Sequence, residues 1–162
     1  MPLLTKKKIK IMRTLGNILW HFPLLGFVTA LINFLIGSLF VVSVVGAPIG
    51  LGLIELSKFY LKPFSSNLID KKELKSNQNK AWKIYGSIVR IIYFPFGLFL
   101  AIVTITQIIG LFITIIGIPI AVILAKSLGT YFNPVNKKCV PKAVADELNR
   151  RKAKAQVEKY LD

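Results

Sequence analysis

Two uninterrupted stretches of this chain, Thr14 to Ile54 and Ile91 to Ala125, contain no Lys, Arg, Asp or Glu. Both are dominated by Leu, Ile, Val and Phe, and every formal charge lies outside them. About 20 apolar residues in a helix cross a hydrocarbon core of about 30 Å. Tracts of this length predict membrane-embedded helices and argue against the core of a water-soluble domain. At 162 residues the chain suffices for one small membrane domain, without a large soluble one beside it.

The net charge of +15 would point to nucleic acid in a soluble protein, but here the charge is grouped. Lys6, Lys7, Lys8, Lys10 and Arg13 precede the first tract; eight further cations lie between Lys58 and Arg90, and nine between Lys126 and Lys159. Segments rich in Lys and Arg stay in the cytoplasm, so all three polar segments, and both termini, are expected there. The five N-terminal cations, with Lys137 and Lys138, are the candidates for lipid head-group contact. No RNA-binding motif or zinc-finger spacing is present, and no nucleic-acid partner is expected. The basic start has the order of a signal peptide, but the tract behind it far exceeds an h-region of about 7–15 residues. The single Cys139 rules out an intrachain disulfide and fits a reducing cytosolic face. The single His21 stands beside Trp20 and reads as an interfacial pair, since a metal site would need ligands this chain lacks. No metal and no cofactor are expected.

If the polar segments share one side, each tract must return to it. One helix over the first tract would be roughly 60 Å long, about twice the hydrocarbon thickness. A helical hairpin per tract is the simplest solution, with helices near Gly16–Phe34, Ser38–Tyr60, Ser87–Ile109 and Leu111–Phe132. The turns would then fall at Ile36-Gly37-Ser38 and at Gly110. Shorter, re-entrant hairpins keep the same sidedness, with an amphipathic segment after Pro48 lying along the surface. Both geometries remain open at this stage.

The tracts resemble each other at an offset of 71 residues. Gly26 matches Gly97, Gly46 matches Gly117, Pro48 matches Pro119 and Pro63 matches Pro134. Such self-similarity predicts a tandem, parallel repeat with a pseudo-two-fold axis along the membrane normal. Within it, Gly-x-Pro should break the second helix of each hairpin, because proline lacks an N–H and crowds the carbonyl four residues earlier. The freed carbonyls would be those of Val44 and Ile115. Val44, Gly46, Pro48, Ile115, Gly117 and Pro119 are therefore the candidates for an ion path. Thr29, Asn33, Ser38, Ser43, Thr104, Thr106, Gln107 and Thr114 would line that path or bind helices together. Glu55 and Lys126 occupy equivalent positions with opposite charge, a candidate ion pair within the chain or between subunits.

The expected organisation is a basic cytosolic N-terminus (1–14), a first membrane repeat (15–66), a polar cytosolic connector (67–84), a second repeat (85–135) and a basic, helical cytosolic tail (136–162). The fold class is an all-α polytopic membrane protein. In the tail, Asp146 and Glu147 lie early and Arg150 to Lys159 late, an order that complements a helix dipole.

The doubled block carries further marks. Its Ile-Ile-Gly-Ile-Pro core is followed by Lys126, then Asn133-Pro134-Val135. The first copy adds Glu55-Leu56-Ser57-Lys58 and Lys62-Pro63-Phe64. From roughly Thr14 to Val140 the chain resembles the YccF-type inner-membrane domain family. The resemblance implies a small bacterial inner-membrane protein built from one or two such domains and brings no activity with it. The variant core Val45-Gly46-Ala47-Pro48 and the basic C-terminal helix depart from that pattern.

Enzyme chemistry needs a nucleophile with a base, paired carboxylates or metal ligands, and no such set can be assembled from one His, one Cys and acids outside the apolar tracts. The expectation is not an enzyme but a homo-oligomeric channel or pore around the Gly-x-Pro elements. The alternative is a structural or accessory subunit packing on another membrane protein. The lipid bilayer is the partner common to both.

Overall fold

The computed structural model describes residues 2–22, 25–74, 79–115 and 117–161, with the backbone alone at 2–4 and 6. Lys75 to Gln78 of the expected connector, and Ile116 of the Gly-x-Pro core, lie outside the described residues. Six helices and two short strands follow in order: α1 (Pro2–His21), α2 (Gly26–Val42), α3 (Ala47–Leu61), β1 (Ser66–Asp70), α4 (Lys80–Phe112), α5 (Gly117–Phe132), β2 (Lys137–Pro141) and α6 (Lys142–Leu161). The chain is mostly helical, as its composition predicts.

The hairpins turn later than the sequence suggested. α2 and α3 form the first and the C-terminal half of α4 with α5 the second, each packing mainly within itself. Their turns fall at residues 43–46 and, among the described residues, 113–115, so Gly37 and Gly110 lie inside helices. Gly37 serves packing: a Cβ there would come 2.9 Å from the carbonyl oxygen of Gly50, so the two glycines let α2 and α3 approach backbone to backbone. Gly-x-Pro does not break a helix either. Pro48 sits in the first turn of α3, and Pro119 is the third residue of α5. An absent N–H costs nothing at a first turn, so the motif starts the returning helix. The proline inside a helix is Pro95, in α4.

α4 has 33 residues, about 50 Å, and is the one described helix long and apolar enough to cross a membrane. α1 and α2 pass that test only jointly and meet at a 74° bend. The helices α2, α3 and α5 have 17, 15 and 16 residues, about 22–26 Å each.

The core draws on the edges of the apolar tracts and the residues just beyond them, not on their middles alone. It gathers where the hairpins meet, from Trp20, Leu56, Phe59, Tyr60 and Ile123, with Val135 buried nearby. Over this junction β1 and β2 pair antiparallel, Ser66 opposite Pro141 and Leu68 opposite Cys139. The all-α expectation is therefore corrected, as is the solvated connector at 67–70. Five residues bounded by polar side chains give little strand signal, and their partner is far along the chain. α6 forms as expected and packs on the sheet through Ala145, with Lys152 bonded to Glu73 at 2.7 Å.

Both turns can be placed along α4. The Tyr85 hydroxyl, near its start, reaches the carbonyls of Val44 and Val45. Gly97, twelve residues on, faces the carbonyl of Phe132 at the end of α5. The first turn thus sits beside residue 85 and the second follows Phe112, about 40 Å apart along α4. The hairpins leave the junction in opposite directions along α4.

Candidate functional site

The two turns are built alike and are apolar. Ser43 Oγ donates to the Phe40 carbonyl at 2.7 Å and accepts from the Gly46 N–H at 3.2 Å. Thr114 Oγ1 donates to the Leu111 carbonyl at 3.1 Å and accepts from the Gly117 N–H at 3.0 Å. Backbone bonds complete each turn, with Ala47 N–H on Val44 and Thr114 N–H on Leu111. Val44 adopts a left-handed backbone at φ 60, a cost accepted where the chain must reverse tightly. The side chains at the tips are bare: Val44 is 71%, Val45 75%, Ile113 82% and Ile115 87% exposed. Loops that emerge into water carry exposed polar tips; these turn their hydroxyls inward onto their own backbone and present Val and Ile.

This arrangement removes the basis for ion coordination at Val44. Its carbonyl, expected to be freed by Pro48, accepts from Ala47 N–H at 3.1 Å and from the Tyr85 hydroxyl at 2.9 Å. Gly46 and Gly117 face their own turns: a Cβ on Gly46 would clash with Phe40 and Ser43, and one on Gly117 with Leu111 and Thr114. The groove of about 390 Å³ beside the first turn is lined by apolar residues, among them Phe40, Val45, Ile49, Val89, Ile92 and Phe96.

At the junction, polar side chains lock the ends of the hairpins. Tyr60 and Tyr131, themselves 71 residues apart, share a hydroxyl–hydroxyl bond of 2.8 Å, and the Tyr60 hydroxyl also donates to Ser127 at 3.0 Å. The last carbonyls of the returning helices, which lack intrahelical donors, are capped from preceding helices. Trp20 Nε1 donates to the Tyr60 carbonyl at 2.8 Å and His21 Nε2 lies 2.8 Å from that of Leu61. The Tyr93 hydroxyl donates to the Tyr131 carbonyl at 3.1 Å. The Trp20–His21 pair therefore has a defined structural task. Asn17 adds a clamp on the loop after α3, accepting from Phe64 N–H and donating to Ser65 Oγ.

Glu55 and Lys126 form no ion pair with each other. Glu55 is buried and bonds Lys58 at 2.7 Å, Lys138 at 3.3 Å and the Cys139 N–H at 2.9 Å. Lys126 donates to the Pro63 carbonyl at 3.2 Å and stands 5.9 Å from the centre of the Phe64 ring. The intrachain pairing is corrected: each side chain crosses to the other hairpin's exit loop or strand. Lys137 and Lys138, expected at lipid head groups, lie in β2 and bond Asp70 and Glu55. Lys7, Lys8 and Lys10 are exposed on α1, Arg13 is half-buried, and the side chain of Lys6 lies outside the described residues. Burial pushes the Cys139 thiol up from its ordinary range. Among the described residues no group of His, Cys, Asp and Glu could hold a metal ion.

Comparison with known families bears on one part of the chain. Residues 15–66, from α1 through the first hairpin to the start of β1, match the model of the YccF inner membrane component domain. Over that segment the chain is similar to the YccF domain. The family is described as an inner membrane component, which supports an inner-membrane location and agrees with the charge-free tract at the centre of the match. No curated protein and no solved structure matches the chain.

Sequence reasoning missed Tyr60, Tyr85, Tyr93, Tyr131 and Asn17. Of these, only the tyrosine pair carried a signal, since Tyr60 and Tyr131 share the 71-residue offset of the matched glycines and prolines.

Proposed function

We propose that this protein is a structural or accessory component of the inner membrane, inserted from the cytosolic face by two re-entrant hairpins. The apolar, exposed turns carry this reading. Backbone in hydrocarbon must satisfy its own hydrogen bonds, and Ser43 and Thr114 each bond backbone groups within their own turn. α2, α3 and α5 are also shorter than the hydrocarbon thickness of about 30 Å. The two hairpins are copies of one unit, supported by the 71-residue offset between β1 and β2 and between Tyr60 and Tyr131. With their two-fold along the membrane normal, α4 runs within one leaflet and both tips end in lipid. Both termini, β1, β2 and α6 then share the cytosolic side, as the basic segments require.

This reading replaces a pore as the preferred function, because the Gly-x-Pro elements start helices and line no polar path. Full-length protein reconstituted into liposomes should conduct ions no faster than empty vesicles do. Flux above that baseline, altered by Pro119→Ala or Gly117→Ala, would restore the pore and defeat the accessory role.

A further inference from the structure

Around the loop at Pro63–Ser65, cations from three helices converge without carboxylate partners. Lys126 of α5 is held over the loop by its bond to the Pro63 carbonyl and its approach to Phe64. Arg13 of α1 and Lys142 of α6 are its positive neighbours, and Asp146 is the one negative neighbour. Lys10 and Arg13 line an open groove of about 520 Å³ with Ile9, Thr14, Ser65 and Ala143. The groove is anchored to the same loop, since Lys142 N–H donates to the Ser65 carbonyl at 2.9 Å. Among the described residues, none of Lys10, Arg13, Lys126 and Lys142 forms an ion pair, whereas Glu55, Asp70, Glu73 and Glu147 are already engaged by other cations.

Lys126, Arg13 and Lys142 face one acid, and Lys10 lines the groove beside Arg13; that excess of positive charge is one an anion would relieve. The position of the cluster indicates which anion. Arg13 ends the N-terminal basic run just before the first charge-free tract, and Lys126 follows directly on the second. Both therefore lie where charge gives way to apolar sequence, the depth of lipid phosphates. Exposed Ile9 and Val144 border the groove or its floor helix. Ammonium groups supply compact charge, and a guanidinium adds a planar fork matched to phosphate oxygens.

We propose that the groove between α1, α6 and the Pro63–Ser65 loop is a binding site for the phosphodiester head group of an anionic phospholipid. Arg13 and Lys10, which line the groove, hold the phosphate, and Lys126 and Lys142, the charged neighbours of Arg13 around the same loop, flank it. The proposal rests on the membrane location above, but its test in detergent does not depend on how the hairpins insert.

The full-length protein, purified in neutral detergent, is mixed with phosphatidylglycerol or phosphatidylcholine, and the lipid retained through gel filtration is quantified by mass spectrometry. Phosphatidylglycerol should be retained preferentially. Arg13→Gln and Lys126→Gln should each weaken retention about fivefold, the contribution of one cation near an anionic surface. Lys142→Gln, whose side chain makes no hydrogen bond or ion pair among the described residues, should act in the same direction if Lys126→Gln, which also loses the bond to Pro63, fails to fold. Lys72→Gln and Lys159→Gln, distant and exposed, should leave retention unchanged. Equal retention of the two lipids, or equal losses in the cluster and control variants, would overturn the site. Displacement of the lipid by millimolar inorganic phosphate would overturn its assignment to lipid in favour of a free phosphate.

Discussion

The two hairpins solve one problem with different connections. In the first, α1 arrives at a 74° bend, which carries Trp20 and His21 onto the last carbonyls of α3. In the second, α4 continues as one helix through Pro95, and Tyr93 reaches the corresponding carbonyl of α5 from its side. A helix end near lipid cannot leave its carbonyls bare, so a donor is supplied either way. The tips differ as well. The first is tied to α4 by Tyr85, whereas the position 71 residues before Tyr85 is Thr14, whose hydroxyl bonds Lys10 within its own helix. The constant element is the self-contained turn; the supports around it vary.

The contact between the hairpins should be the least tolerant part of the molecule. Gly52 on α3 faces the carbonyl of Pro134 on the second hairpin's exit, and any Cβ there meets backbone. Gly52→Val should lower stability by at least about 3 kcal/mol, read as a loss of monodisperse protein and of melting temperature in detergent. Gly129→Ala, with nothing within 4 Å of the added carbon, should be neutral or slightly stabilising. Equal effects would show that the hairpins do not touch as described.

Glu55 comes next, because it links the first hairpin to β2. Glu55→Ala leaves Lys58, Lys138 and the Cys139 N–H without their shared acceptor and should cost about 3 kcal/mol. A charge swap at Glu55 and Lys126 should give no rescue, since each bonds elsewhere. Rescue by the double exchange would reinstate the direct pair.

Tyr85→Phe should cost about 1 kcal/mol, the net worth of a hydrogen bond, and loosen the first turn alone. Hydrogen exchange should rise at residues 43–46 and stay unchanged at 113–115. A matching rise at both turns would mean that Tyr85 supports the whole fold and not one tip.

The smallest effect concerns Cys139, paired opposite Leu68 in the sheet. Burial raises its pKa above the ordinary 9.0, so less thiolate is present at neutral pH. Its alkylation rate should still be climbing as pH passes 9, where an exposed thiol levels off. A plateau below that pH would show that β1 and β2 part readily.

Much of this fold was legible because lipid and charge write plainly: the tracts, the basic segments, the tail helix and the 71-residue offset were all in the sequence. The turn positions were not, because Gly37 and Gly110 read as breakers while their helices carry them through. Pro48 and Pro119 misled for the related reason that proline either ends a helix or begins one. The strands could not be read locally, since Ser66–Asp70 finds its partner only at Lys137–Pro141. The fates of Glu55 and Lys126 depended on which loop each would face, which no spacing encodes.

The central claim is that the tips at Val44 and Ile115 end within hydrocarbon. Single cysteines at these positions, in a Cys139→Ala background, can be challenged with a membrane-impermeant maleimide in right-side-out and inverted vesicles. The account predicts labelling from neither face, while a cysteine at Lys72 reacts from the cytosolic face alone. Reaction of either tip from the periplasmic face would contradict it.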